Sequence, residues 1–91
     1  MKHLLPADID YSILPEHLTG GMKRYLEHGI LPGHFLQACL KNDLREAVGR
    51  VDQITDLRQV CLFLYNEAPA PSHGSEEKMI QWTKDQQEEA A

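Results

Sequence analysis

The chain has 91 residues, 42% of them hydrophobic and 25% charged, which is room for one small domain around a single core and argues against a wholly disordered, collagen-like or membrane-spanning chain. Nine lysines and arginines against fourteen aspartates and glutamates leave a formal charge of −5 and a pI near 5.4. A protein that lives by neutralising phosphates carries the opposite sign, so nucleic acid is disfavoured as a partner.

Residues 1–14 carry Pro6, Asp8 and Asp10 alternating with Ala7, Ile9 and Tyr11, the spacing of an extended arm that either stays unpaired or joins a strand. The apolar stretch at this end is short and broken by Pro6, unlike the continuous run of a signal peptide, and the expected location is the cytoplasm. From Pro15 onward Leu18, Met22, Tyr25 and Leu26 line one helical face, with Pro15 suited to a first turn and Gly29 to a stop. Gly20 and Gly21 fall inside this helix, where each costs about 1 kcal/mol relative to alanine. Close approach of a neighbouring helix is the simplest compensation.

Leu31-Pro32-Gly33 reads as a turn, and Phe35, Leu36, Cys39, Leu40, Leu44, Ala47, Val48 and Val51 then keep helical spacing. Two arrangements fit: one long helix to about Val51, or two helices parted at Lys41-Asn42-Asp43 with Asn42 as N-cap. Asp52 or Thr55 suits the cap of a helix over 54–67, whose apolar positions, Leu57 and Leu64 among them, cover most sides and predict a central hub. Ala68-Pro69-Ala70-Pro71-Ser72-His73-Gly74 forbids helix continuation and forms a link. The last helix starts at Ser75, with Glu76 and Glu77 at the positive end of its dipole. Its end, DQQEEAA, opposes the dipole and is expected to fray and to contribute almost nothing to folding. The expected fold is all-α, a compact bundle of four to five short helices over 15–83, with an extended arm over 1–14 and an acidic tail over 84–91.

Cys39 and Cys61 sit among apolar neighbours and read as reduced core thiols rather than a disulfide framework. His17 and His28 lie eleven residues apart, about 16 Å along a helix, too far to share an ion. His28 and His34 flank the Gly29–Gly33 turn and, with Glu27, are the nearest approach to a metal set; a solvated polar turn explains them more simply, and no metal or other cofactor is expected. Ser72-His73-Gly74-Ser75 places hydroxyls beside an imidazole, but neighbours in sequence seldom face each other and Ser75 fits a cap; no catalytic residue is expected. The pair of helices over 34–51 resembles a helix-turn-helix with Arg45 and Arg50 near phosphate, opposed by the acidic total and by the lack of basic clustering beyond Lys23-Arg24. Trp82, on an otherwise polar helix, serves either as the anchor docking that helix to its own core or, with Tyr65 and Glu67, as a partner contact.

The run PGHFLQACLKNDLREAVGRVD followed by LYNEAPAPSHGSEEKMIQW resembles a family of small, uncharacterised bacteriophage and prophage proteins. The likeness rests on Pro32, Gly33, Phe35 and Leu36, on Asn42, Asp43 and Leu44, on Ala47, Arg50 and Asp52, and on Gly74, Ser75 and Trp82. It spans roughly residues 15–83, and Val51 stands where the pattern has alanine. The resemblance implies a phage origin and action inside a bacterial cell, and it assigns no activity.

The expected function is that of a small acidic binding protein that docks on a host or phage protein as an inhibitor or modulator, for instance of a host defence or regulatory enzyme. A nucleic-acid-associated regulator using residues 34–51 is the alternative, and a small enzyme the third. The candidate contact residues are Trp82, Tyr65 and Glu67, the tail acids Asp85, Glu88 and Glu89, and the turn histidines His28 and His34.

Overall fold

Helix boundaries follow local chemistry. Pro15 precedes α1 (Glu16–His28), and Gly29 ends it in the left-handed conformation at φ 70°, its N–H donating to the Tyr25 carbonyl at 2.9 Å. A Cβ on Gly29 would stand 2.5 Å from the Thr83 carbonyl oxygen, so no other residue fits there without displacement. After the turn come α2 (His34–Leu40) and α3 (Leu44–Arg50), two helices rather than one. Asn42, expected as the cap of α3, instead takes the left-handed turn at φ 63°, a conformation its short polar side chain tolerates. Asp43 is the cap, its carboxylate accepting from the Glu46 N–H at 3.2 Å.

Helix α4 (Ile54–Asn66) begins at Gln53, which makes no capping side-chain bond, so neither Asp52 nor Thr55 has the role expected of it. The 68–74 link holds a single 3-10 turn at Ala70–Ser72, and Ser75 caps α5 (Glu76–Gln87) by accepting from the Lys78 N–H. The computed structural model describes residues 2–88, and among these the architecture is all-α: five α-helices, 3-10 turns at Tyr11–Ile13 and Ala70–Ser72, and no strand.

The core centres on α1 and α5. Met22, Tyr25 and Leu26 of α1 are wholly buried against Met79 and Trp82 of α5, with Leu36 and Leu40 of α2 and Val60, Phe63 and Leu64 of α4 closing the cluster. Two buried hydrogen bonds tie α1 to α5 and to the link before it: the Trp82 Nε1–H donates to the Tyr25 carbonyl at 3.3 Å, and the Tyr25 hydroxyl donates to the Ser72 carbonyl at 2.6 Å. The expected hub is corrected accordingly. Helix α4 buries one face only, leaving Ile54 63% and Tyr65 87% exposed and Leu57 half-buried, because nothing packs on its outer side.

Both chain segments expected to lie outside the domain are packed into it. The arm forms no strand; the Leu5, Ile9 and Tyr11 side chains lie against the core, Leu14 is buried, and the His3 ring stacks on Trp82 with centroids 4.4 Å apart. Residues 84–87, expected to fray, complete α5. Gln86 is only 3% exposed; its amide donates to the Leu26 and His3 carbonyls and its oxygen accepts from the His3 N–H at 2.6 Å. Gln87 donates to the Gly29 carbonyl at 2.8 Å, so the open carbonyls at the end of α1 are satisfied by the end of α5. Residues 89–91 lie outside the described residues.

The glycine pair in α1 is not explained by close helix contact. A Cβ at Gly20 would meet the guanidinium of Arg24 on its own helix at 3.1 Å, and one at Gly21 would stand 3.5 Å from Leu36 Cδ1, an ordinary packing distance.

Candidate functional site

The residues singled out by sequence do not assemble. Trp82 is 1% exposed beneath His3 and serves as core anchor, which removes it from any partner surface. Tyr65 stands free on the outer side of α4, and the Glu67 carboxylate accepts from the Asp10 N–H at 2.8 Å, tying the arm to the end of α4. Asp85 is engaged by Gln81 and by His3 Nε2 at 2.9 Å; these hydrogen bonds, Gln81 first, hold its carboxyl down at about 2. Glu88 is exposed just past α5 and Glu89 lies outside the described residues. His28 and His34 are both exposed on either side of the turn, and no group of three metal-ligating side chains occurs among the described residues.

Two depressions take the place of that expected site. The first runs along α4 opposite the α2–α3 corner: Leu44, Ala47 and Leu57 line one end, Leu64, Tyr65 and His73 the other, and Cys39, Asn42 and Cys61 line both, which makes the groove continuous. From Leu57 to Tyr65 it follows about 12 Å of helix. Leu44, 67% exposed, together with Val48, Ile54 and Tyr65, extends the apolar surface on α3 and α4.

The thiols in this groove are not activated. Burial and the neighbouring Cys61 push the Cys39 thiol up to about 12, and burial raises Cys61 as well, so both stay protonated near neutral pH. Cys61 is exposed, a correction to its expected place in the core; the alternation of apolar residues on α4 hid which side faced out. His73 at the far end is pushed below its ordinary value by burial and then by Lys78, which keeps the imidazole neutral.

The second depression, about 370 Å³, lies between α1 and the 29–33 turn, over Leu18, Gly21, Pro32 and Leu36, with His17 and Arg24 at its rim. His17 Nε2 meets the buried Asp56 carboxylate of α4 at 3.3 Å.

No family model, curated protein or solved structure matches this chain.

Sequence reasoning missed both grooves for one reason: each is walled by residues from elements far apart in the chain. The outer groove leaves a trace in the surplus of apolar positions on α4, a pattern that a central helix shares. The second left a sharper one in the adjacent glycines, followed by an arginine one turn later, inside a helix that had no conformational need of glycine.

Proposed function

We propose that this chain is a binding protein whose α3–α4 groove takes the apolar face of an amphipathic helix from a partner protein, and that docking there blocks or modulates that partner. The observation that supports it most is the continuous, mainly apolar groove along α4, with Asp43 the one acid on its lining, long enough for anchors at i, i+4 and i+7 of a helical ligand. Residues 41–58, which carry about half of the face, hold four basic and four acidic side chains, so this region is electrically balanced in a chain of net charge −5. A balanced apolar face favours contact by burial, while the acidic remainder acts on encounter rate. The resemblance to phage proteins makes a protein of the bacterial host the partner we favour.

The test is recovery of a stoichiometric partner from bacterial lysate by the full chain and by the double variant Leu44→Asp, Tyr65→Ala. Both side chains are exposed, so stability is expected to stay within about 1 kcal/mol. Recovery is expected to fall at least about tenfold, as for loss of an interface anchor. Equal recovery by the variant, or retention that nuclease treatment abolishes, overturns the proposal.

A further inference from the structure

The depression beside α1 has features that the docking groove does not account for. Gly20 and Gly21 occupy consecutive positions inside α1, where glycine is the least favourable residue after proline. Neither has a positive φ, and the atoms nearest to an added Cβ are side-chain atoms in both cases. What the pair provides is space. Gly20 lets the Arg24 guanidinium lie back along the helix, and Gly21 leaves the floor open between Leu18 and Leu36.

The resulting volume of about 370 Å³ falls within the range of small-molecule sites. Its floor is apolar, and the half-exposed side chains of Ile30 and Leu31 stand at its edge. Of the two polar side chains at the rim, His17 already faces Asp56. The Arg24 guanidinium makes no hydrogen bond or ion pair with another described residue, so one planar cation stands unspent above the apolar floor.

We propose that this cavity binds a small apolar monocarboxylate, with its carboxylate forked on the Arg24 guanidinium and its hydrocarbon on the Gly21 floor. A guanidinium matches a carboxylate with two parallel hydrogen bonds, and a single cation balances a single negative charge. The Leu18, Pro32 and Leu36 side chains of the floor then favour a hydrocarbon tail.

The full chain is titrated with octanoate and, separately, with octanol, following backbone amides by two-dimensional NMR. Octanoate is expected to shift the amides of Leu18, Gly21, Leu31 and Gly33 saturably, and octanol, with the same tail and no charge, to bind at least about tenfold more weakly. Arg24→Gln is expected to lose about the same factor for octanoate while keeping the native spectrum. Gly21→Ala, whose methyl fits against Leu36, is expected to fold normally and also to weaken octanoate. Equal affinity for octanol, an unchanged affinity in Arg24→Gln, or shifts confined to other residues would overturn the proposal. A short peptide ending in leucine that bound tenfold more tightly than octanoate would overturn it too, in favour of a polypeptide C-terminus.

Discussion

Gly21 lies inside α1 and Gly29 ends it, and replacing each by alanine has opposite consequences. At Gly21 the backbone is helical and the new methyl finds Leu36 and Pro32 at 3.5 and 3.8 Å, so the gain in helix propensity is expected to stabilise by about 0.5–1 kcal/mol. At Gly29 the backbone is left-handed and the methyl would press on the Thr83 carbonyl at 2.5 Å. The conformational penalty alone is about 1–2 kcal/mol, and with the clash the total loss is expected to exceed about 2 kcal/mol. Urea denaturation of the two variants checks both signs. If Gly21→Ala destabilised, α1 would be packed more tightly than its distances indicate.

At the scale of the element, α5 departs furthest from its sequence appearance. Its apolar residues are few, and the run after Trp82 holds no large apolar residue, so the sequence alone predicts an end that contributes almost nothing to folding. Gln86 and Gln87 change that expectation. Their amides satisfy the carbonyls of Leu26, Gly29 and His3, and a cut after Thr83 leaves acceptors at the end of α1 without those donors and takes from His3 its Asp85 partner. Each buried acceptor left unpaired costs about 1–3 kcal/mol, so a chain ending at Thr83 is expected to be at least about 2 kcal/mol less stable than one ending at Glu88. Thermal melts of the two chains decide it. Equal melting temperatures would show that water replaces the glutamine amides without cost.

The whole molecule has a radius of gyration of 12.4 Å, the size expected of a compact domain of about this length. Its compactness depends on contacts between residues far apart in sequence, among them His3 with Asp85 and with Gln86, 82 and 83 positions apart. Asp85 titrates at about 2 in the folded chain, below its ordinary value of 3.8, chiefly through Gln81 and then His3. A lowered carboxyl pKa means that its stabilisation is present above about pH 3.8 and is lost as pH falls through about 2. Asp85→Asn is therefore expected to flatten the fall in stability between these values, measured as urea midpoints against pH. An unchanged acid profile would place the responsible carboxylates elsewhere.

What the sequence determined by itself is what short-range physics controls. Periodicity, Pro15 and Gly29 around α1, Ser75 ahead of two glutamates at α5, and the prolines of the 68–74 link act within a few residues, and they define an all-α fold with nearly the right boundaries. The exposed Tyr65 was legible as a surface candidate, whereas Trp82 was ambiguous, because the same residue type anchors cores and interfaces. Tertiary structure alone decided which face of α4 would be covered, that two polar glutamines would close the end of α1, and that His3 would cover Trp82. Each of those outcomes depends on which distant segment arrives opposite a residue, and a hydrogen-bond donor or an apolar surface in one segment does not encode the partner that will meet it.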